Sequence, residues 1–373
     1  MSTFYINGKF AACRVTGVQR VAMNLLLALD ERLAAQACAD ADPAAGTRWV
    51  LLCPPSATLP ALQRIEVRVV GKRAWPLHLW EQWLLPRAAR DGLLLSLAGS
   101  APLLAVRQVC LLHDAAVFDR PDAYQPWFSA WYRFAFRWLS GRAEQLWTVS
   151  AFSRGRLARQ LLIPEDRIGI IPNAGEHLLT VPADVSVLRS LGLEGETYFL
   201  AVGSRNPNKN LPNLLAAFRG LVAPSTPLLV LVGGMDSRVF AVPGSAPLSS
   251  NDRVVDAGIA ADGQLRALYE HALALVFPST YEGFGLPPLE AMSCGCPVLC
   301  SSAASLPEVC GDAALYFDPS SIESIRAAMN QVLLKPELSQ GLRARGHARA
   351  RSLSWPAAAD ALLAHLGLGG ACA

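Results

Sequence analysis

The chain has 373 residues, of which 52% are hydrophobic and 17% are charged, and its formal net charge is +3. This length exceeds what one hydrophobic core usually organises and predicts two domains, while the composition excludes a disordered chain. The net charge is too small to indicate a nucleic-acid partner.

Nine cysteines are scattered along the chain without a Cys-x-x-Cys pair, although Cys294, Cys296, Cys300 and Cys310 lie close together in the sequence. No histidine is near them, so we expect buried thiols in a reducing compartment rather than a zinc site. The first residues lack a signal-peptide core, and no apolar run reaches the ~18–20 residues that span a bilayer. We therefore expect a soluble, cytoplasmic protein without a zinc site.

Short runs rich in valine and leucine recur through the first half of the chain. They do not alternate between polar and apolar residues, which is typical of strands buried on both faces of a parallel sheet. Helical patterns separate them and indicate a βαβ order. The predicted strands are 4–7, 48–53, 65–70, 93–97, 108–112 and 145–149.

Three places in this half could carry chemistry. A helix is predicted to begin at Gly17, where a phosphate could face the helix start, although an ordinary N-cap explains this pattern better when taken alone. Glu81 lies beside aromatic residues and could line an acceptor groove or equally lie at the surface. His113 follows the strand 108–112, where ligands of α/β sheets bind, but a lone histidine there is more often structural.

An aromatic helix is predicted over residues 126–142. Aromatic side chains surround most of it, and Arg133 and Arg137 are spaced by four residues. Aromatic residues on nearly every side favour burial, whereas tryptophans beside arginines also suit a membrane interface. We expect a core helix with one partly exposed edge that faces lipid.

The second half begins after a hinge, for which the prolines and turn residues of 176–195 are typical. A second parallel sheet is predicted from the strands 198–202, 228–232, 253–257, 273–277, 297–300 and 315–318. Arg205 and Lys209 follow the first of these strands. Cations there can neutralise a diphosphate, or they can belong to a solvated basic loop. The Pro/Ser-rich segment 237–251 is predicted to be a loop.

The stretch 277–290 combines a strand end, a glycine-rich loop and a helix start, where Pro287 and Pro288 are tolerated. Glu282 and Glu290 bracket the loop with seven residues between them. Unpaired N–H groups at a helix start can bind phosphate, and carboxylates can accept hydrogen bonds from hydroxyls. Such a loop suits a sugar nucleotide, although many strand–loop–helix joints bind nothing. No G-x-G-x-x-G fingerprint supports a dinucleotide site.

This stretch resembles the E-x7-E signature of retaining glycosyltransferase family 4. The words Phe-Pro-Ser before it, Gly-Phe-Gly-Leu-Pro inside it and Glu-Ala-Met-Ser-Cys-Gly-Cys-Pro-Val after it agree with that family. The resemblance implies a GT-B fold, in which two Rossmann-like domains face a cleft. The implied domains are an acceptor-binding domain, 1–176, joined by a helix at about 355–370 that crosses back, and a nucleotide-sugar-binding domain, 195–350.

The resemblance also implies roles for individual residues. Arg205 and Lys209 would hold the donor diphosphate, Glu282 the transferred sugar, Glu290 the ribose, and His113 would lie beside the reacting centre. The glycine loop at Gly17 would face the donor, although the family's second glycine is Gln19 here. The remaining implied donor-binding residues are Gly203, Gly283, Phe284, Gly285 and Leu286.

The implied reaction is transfer of a sugar from a nucleotide-sugar to a glycan or polyprenyl-linked hydroxyl, with retained configuration and without a divalent metal. Thr16-Gly17-Val18-Gln19-Arg20 and Leu79-Trp80-Glu81-Gln82 are similar to bacterial mannosyltransferases of polysaccharide and lipopolysaccharide assembly, which favours GDP-mannose. Such an enzyme could work at the cytoplasmic face of the inner membrane. UDP-glucose, a dTDP-deoxysugar, a GT-B-shaped epimerase and a non-catalytic binding subunit remain alternatives. The oligomeric state cannot be read from the sequence.

Overall fold

The computed structural model describes residues 2–37, 46–221, 227–234 and 253–368, so the whole segment 237–251 predicted as a loop lies outside the described residues. The chain forms two compact units. The first contains Met1–Ala115, Trp131–Asn173 and Trp355–Ala373, and the second contains Ala116–Ala130 and Ala174–Ser354. Residues 116–130 thus group with the second unit, whereas the sequence assigned all of 1–176 to the first.

The first unit is built on a parallel sheet of seven strands in the order β3-β2-β1-β4-β5-β6-β7. Its centre is largely apolar, because β1, β2 and β4 place consecutive buried residues on both faces, and the buried polar residues Asn7 and Ser96 lie at strand ends. The strands are β1 Ser2–Asn7, β2 Thr47–Cys53, β3 Glu66–Val69, β4 Leu93–Ser96, β5 Gln108–Leu111, β6 Gln145–Thr148 and β7 Ile168–Ile170. The chain order reverses between β1 and β4, and such a switch point is where open α/β sheets bind ligands.

The second unit repeats this plan with a parallel sheet of six strands in the order β10-β9-β8-β11-β12-β13. The strands are β8 Tyr198–Val202, β9 Leu228–Val232, β10 Val254–Gly258, β11 Ala274–Phe277, β12 Val298–Ser301 and β13 Ala314–Phe317. Its switch point lies between β8 and β11. Of the thirteen strands in the described residues, twelve overlap the predicted strands, and β7, which was not predicted as a strand, lies near the predicted end of the first domain.

Helices follow most strands in both units. In the first half they are α1 Gly17–Ala37, α2 Leu77–Leu79, α3 Leu85–Ala88, α4 Ala116–Asp119, α5 Pro126–Ser140 and α6 Ala151–Leu161. In the second half they are α7 Ser186–Ser190, α8 Leu211–Arg219, α9 Asp262–His271, α10 Leu286–Ser293, α11 Leu306–Cys310, α12 Ile322–Leu334, α13 Pro336–Ser352 and α14 Trp355–His365. A π-helical turn, Trp80–Leu84, joins α2 to α3.

The last helix returns to the first unit, as the resemblance implies. Helix α14 packs on α1, and Arg32 donates two hydrogen bonds to Asp360, at 2.7 and 2.6 Å. The aromatic ring of Trp147 on β6 stacks on His365 at a centroid distance of 5.9 Å. Through these contacts, helix α14 forms part of the packed core of the first unit.

No helix in the described part of the chain is both long enough and apolar enough to cross a lipid bilayer.

Candidate active site

A pocket opens at the switch point of the second unit, where β8, β9 and β11 end. It encloses about 430 Å³, counting the space at its open mouth. Gly203, Arg205 and Lys209 line it from the loop after β8, and Phe277 and Ser279 line it from the end of β11. The glycine, arginine and lysine predicted for the donor site are therefore brought together.

Lys209 joins this pocket to the glycine-rich loop. Its Nζ lies 2.5 Å from Glu282 Oε1 and 4.8 Å from the centroid of the Phe277 ring. The side chains of Lys209 and Glu282 are only 20% and 16% exposed, so water screens the pair weakly. The predicted cation and the predicted sugar-binding carboxylate are thus direct partners.

Asn210 fixes the backbone next to Lys209. It adopts a left-handed conformation with φ of 54°, which asparagine tolerates better than most residues. Its Nδ2 donates to the carbonyl oxygens of Pro278, at 3.2 Å, and Pro319, at 2.7 Å. These bonds tie the Lys209 loop to the segment that leads from β11 to Glu282 and to the segment after β13.

Arg205 is held by Asp256 on β10, to which its guanidinium donates a short hydrogen bond. Partial burial acts to raise the pKa of Asp256, but the bonds from Arg205 and from the Gly258 amide lower it below its usual value. The carboxylate therefore stays ionised at neutral pH and orients Arg205.

Gly233 at the end of β9 allows the two loops of the pocket to approach each other. Its φ is +137°, and a Cβ added to it would lie 2.0 Å from the carbonyl oxygen of Gly203. Only glycine fits such an approach, because any side chain would displace backbone atoms.

Ser279 is a buried polar residue of the pocket without an assigned partner. It is 0% exposed, and its Oγ has no hydrogen-bond partner among the described residues. A buried hydroxyl left without a partner costs free energy, about 1–3 kcal/mol, so a bound ligand that paired with it would be favoured.

The loop from Glu282 to Leu286 is held by Ser305. Ser305 Oγ lies 3.0 Å from the carbonyl oxygens of both Glu282 and Phe284. Gly285 has a φ of +103°, and a Cβ there would meet Leu306 at 2.5 Å. The loop is therefore a packed structure with its own backbone anchors.

Helix α10 offers fewer phosphate donors than its position suggests. It begins at Leu286, and Pro287 and Pro288 in its first turn have no backbone N–H to donate. Since backbone N–H groups are what binds anions at helix starts, the cations of the neighbouring pocket are better suited than this helix start to attract an anion.

Glu290 does not line the pocket. It is 3% exposed, and its two carboxylate oxygens lie 3.1 Å from His177 Nε2 and 3.1 Å from the Tyr269 hydroxyl. Burial and the charge of Glu290 raise the pKa of Tyr269 well above its usual value, so the phenol remains a donor. The two predicted carboxylates thus have different surroundings.

Segment 116–130 supports the loop in front of Glu282, which sequence reasoning missed. Arg120 donates to Thr280 Oγ1 at 2.8 Å, and the Tyr281 hydroxyl donates to Asp119 at 2.8 Å. These bonds join residues about 160 positions apart, so no local pattern could reveal them.

The other two predicted site residues lie in the first unit. Gly17 begins α1, is exposed, and a Cβ on it would meet nothing within 4 Å. Burial lowers the pKa of His113 to about 4, opposed by its bond to the Leu97 carbonyl, so the ring is neutral at pH 7. Its Nε2 lies 3.0 Å from that carbonyl and must donate, which leaves Nδ1 as the acceptor.

Two family models match this chain. Residues 15–174 match Glycosyltransferase Family 4, and residues 188–349 match Glycosyl transferases group 1. The O-antigen chain mannosyltransferase B of Escherichia coli is 34% identical over 257 residues, covering 67% of each chain.

The chain belongs to the family 4 glycosyltransferases.

Other matches agree with this assignment. The O-antigen chain mannosyltransferase RfbU of Salmonella typhimurium LT2 is 27% identical to this glycosyltransferase over 264 residues, 70% of this chain and 71% of RfbU. Among solved structures, sucrose-phosphate synthase of Thermosynechococcus elongatus superposes with a TM-score of 0.71 at 18% identity, covering 98% of both chains. Anabaena HepE in complex with UDP-glucose gives 0.69 at 16% identity, covering 98% of this chain and all of HepE. The fold of the glycosyltransferase is GT-B, as the sequence predicted.

Among the described residues of the glycosyltransferase, no group of three or more histidine, cysteine, aspartate or glutamate side chains could hold a metal ion. The clustered cysteines are free thiols, and burial raises the pKa of Cys294 and of Cys296 to about 12. The thiols of Cys294 and Cys296 are therefore protonated and unreactive at neutral pH.

Proposed function

We propose that this glycosyltransferase moves mannose from GDP-mannose to a hydroxyl of a glycan or polyprenyl-linked acceptor, with retained anomeric configuration, in bacterial surface polysaccharide synthesis. The mannosyl group and the pathway are supported by the two relatives named for O-antigen mannosyl transfer. One observation carries the donor assignment: Arg205 and Lys209 converge on the switch-point pocket, beside Glu282.

The positive charges suit the leaving group of this reaction. As the bond between the sugar C1 and the phosphate oxygen breaks, negative charge grows on the diphosphate. Fixed cations then stabilise the transition state more than the bound donor. Arg205 can hold two phosphate oxygens at once, and Lys209 acts as a point charge. This arrangement supports a reaction without a divalent metal.

The carboxylates would recognise hydroxyls. Glu282 is oriented by Lys209 and would accept hydrogen bonds from the transferred sugar, so that one ion pair links the sugar subsite to the phosphate subsite. Glu290 would bind the ribose, a role that rests on the resemblance and for which His177 and Tyr269 orient its carboxylate. Phe284 and Leu286 would contribute through the loop backbone.

The bond changes balance without an added cofactor. A new bond forms between the sugar C1 and the acceptor oxygen on the face that the diphosphate leaves, and the proton of the acceptor hydroxyl passes to the leaving phosphate oxygen. His113, neutral at pH 7, would accept a hydrogen bond at Nδ1 from a sugar hydroxyl near the reacting carbon. Gly17 would leave room for the donor at the start of α1.

The test is a transfer assay with purified protein and matched donors. GDP-mannose, UDP-glucose and a dTDP-deoxysugar are compared, with a mannose-terminated oligosaccharide as acceptor, and NMR of the product reports the anomeric configuration. We expect transfer from GDP-mannose with an α-linked product, and full activity in EDTA.

Three outcomes would contradict parts of this proposal. Preference for a UDP- or dTDP-sugar would overturn the donor, and inversion would overturn the mechanism. Loss of activity in EDTA that manganese restores would overturn metal independence. Conversion of the donor into another nucleotide-sugar without acceptor would identify an epimerase instead.

We further propose that helix α5 contacts the cytoplasmic face of the inner membrane. Trp127 and Phe134 are 63% and 49% exposed and lie two helical turns apart, and Arg137 is also exposed. Aromatic residues beside a cation suit the headgroup region of anionic lipids. Co-sedimentation with phosphatidylglycerol vesicles should fall in the Trp127→Ala/Phe134→Ala variant, and unchanged sedimentation would overturn this contact.

A further inference from the structure

A second polar pocket lies in the first unit, at the switch point between β1 and β4. It encloses about 380 Å³, counting the open space at its mouth. Asn7 at the end of β1 donates to Ser96 at the end of β4 at 3.3 Å, so the two strand ends are joined at the floor of this region. No role has yet been given to this pocket.

Its centre is a buried ion pair between Lys9 and Glu81. Lys9 Nζ lies 2.6 Å from Glu81 Oε2, and the side chains are 9% and 2% exposed. Glu81 Oε1 accepts further hydrogen bonds from Asn7, at 3.0 Å, and from Ser100, at 2.7 Å. A buried ion pair is a poor source of stability, because desolvation offsets the attraction between the charges. Its presence at a ligand-binding position therefore suggests a role in binding.

The main chain around Glu81 is firmly held. Trp80 is fully buried and donates from its indole to the Val70 carbonyl at 2.8 Å. Gln82 donates to the Ala101 carbonyl and accepts from the Leu103 amide, at 3.2 and 2.9 Å. The turn that carries Glu81 is π-helical, a conformation that recurs at functional sites. The carboxylate is thus presented by a rigid support.

The pocket has capacity for hydroxyl groups. Lys9 makes one short hydrogen bond, to Glu81, whereas His78 Nδ1 and Ser100 Oγ each lie 3.4 Å from its Nζ. Contacts of that length are weak, so a ligand hydroxyl could replace them at little cost. Ser100 can also donate or accept when a ligand arrives.

The charges of the pocket balance, which argues against an anionic ligand. The one lysine is paired with the one glutamate, and the Lys9 charge together with partial burial lowers the pKa of His78, so that this ring stays neutral at pH 7. No unpaired cation of the pocket would be left for a phosphate. A neutral polyhydroxylated molecule fits this balance.

One side of the pocket is aromatic. Trp131, Tyr132 and Phe136 of helix α5 line it opposite the polar network. An aromatic wall facing hydroxyl partners matches the two faces of a sugar ring, whose C–H groups are apolar and whose edges carry hydroxyls. Gly99, another lining residue, would bring a Cβ to 3.5 Å from His113, so the pocket adjoins that histidine.

We propose that this pocket binds a neutral saccharide unit of the acceptor, with Glu81, Lys9 and Ser100 as hydroxyl partners and Trp131 as the stacking surface. The inference deepens the proposed function and rests on it for the word acceptor. Glu81 and Trp131 are then specificity-determining residues, since they would distinguish a sugar with matching hydroxyls from a lipid diphosphate.

The test measures saccharide binding directly, without turnover. Saturation-transfer NMR with α-linked mannobiose is carried out on the full-length protein and on the Trp131→Ala and Ser100→Ala variants, and inorganic pyrophosphate is used as the anionic probe. We expect mannobiose to bind the wild type and to bind each variant at least ~10-fold more weakly, a change of ~1.4 kcal/mol. Trp83→Ala is the matched control, because Trp83 is 48% exposed in the same helical segment as Glu81 and does not line the pocket.

A kinetic arm separates this proposal from the donor assignment. In Glu81→Gln and Trp131→Ala, the KM for the acceptor should rise at least ~10-fold while the GDP-induced thermal shift stays as in the wild type. Equal mannobiose binding by wild type and Trp131→Ala, or pyrophosphate binding without mannobiose binding, would overturn the pocket. Transfer with unaltered acceptor KM in both variants would overturn it as well, and would leave the donor proposal intact. If mannobiose binding depends on Trp131 but the protein transfers no sugar, the saccharide-binding role of the pocket is supported and the donor proposal is refuted.

Discussion

The two units contain similar lysine–glutamate ion pairs in different surroundings. Each has a lysine–glutamate pair beside the switch point of its parallel sheet, Lys9 with Glu81 in the first unit and Lys209 with Glu282 in the second. The first pair is almost fully buried and surrounded by hydroxyl and amide partners. The second is more exposed and adjoins a glycine-lined pocket with another cation, Arg205. The comparison shows that burial and neighbours, more than the residue pair itself, decide what such a pair can bind.

A buried charge that is neutralised by its partner can still form hydrogen bonds with a neutral ligand. A partly hydrated lysine with a second cation nearby can instead attract a highly charged anion. Lys209 with Arg205 therefore suits a diphosphate, whereas Lys9 with Glu81 suits hydroxyl groups.

The largest expected difference between the pairs is in stability. Glu81→Ala leaves the Lys9 ammonium buried without its partner and should lower the free energy of unfolding by about 3–5 kcal/mol. Glu282→Ala should cost about 1–2 kcal/mol, because its pair is partly hydrated. Urea unfolding of the two variants measures both values. The double variant Lys9→Met/Glu81→Leu is the control for charge burial and should recover most of the lost free energy of unfolding. Equal losses in Glu81→Ala and Glu282→Ala would contradict the difference between the two pairs.

The second difference is in catalysis. Lys209→Ala should lower kcat at least ~100-fold, a loss of ~2.7 kcal/mol of transition-state stabilisation, because the leaving diphosphate loses a cation. Steady-state kinetics with GDP-mannose measure it, and Lys335→Ala is the control, since Lys335 is an exposed lysine of the same unit. Turnover like that of the wild type in Lys209→Ala would refute the role of Lys209 in the diphosphate site.

The smallest expected effect is on the pH dependence of stability, to which His113, beside the pocket of the first unit, contributes. His113 has a folded-state pKa of about 4, below its ordinary value of ~6.5. The folded chain therefore binds fewer protons than the unfolded chain between these values. Stability from this residue is complete above pH ~6.5 and is lost as the pH falls toward 4, by about 1–2 kcal/mol at pH 5. Unfolding free energies at pH 7 and pH 5 should differ less in His113→Asn than in the wild type, and an equal difference would place the titration elsewhere.

Much of the fold could be predicted from the sequence, because parallel strands buried on both faces leave uninterrupted apolar runs. The strands Tyr198–Val202 and Leu228–Val232 are predicted to the residue, and the other predicted strands differ only at their ends. The loops of Arg205, Lys209 and Glu282 were also predictable, since the positions of residues at strand ends follow from the βαβ order.

What could not be predicted depends on pairings between distant residues. Glu81 could be a surface residue or a groove residue by its sequence, and only the bonds from Asn7, Lys9 and Ser100 explain its burial. The pairing of Arg205 with Asp256, and the anchoring of the Glu282 loop by Ser305, depend in the same way on tertiary contacts. Local propensity carries no information on such partners.

The division of the chain has a consequence for fragments of this gene. The boundary between the units is crossed after residues 115, 130, 173 and 354, so neither unit corresponds to one uninterrupted coding segment. A fragment that stops at residue 173 would lack α14 and would expose to water the apolar face of α1 on which this helix packs. Natural recombination could therefore exchange the complete second unit only together with parts of the first, which favours inheritance of the two units as one piece.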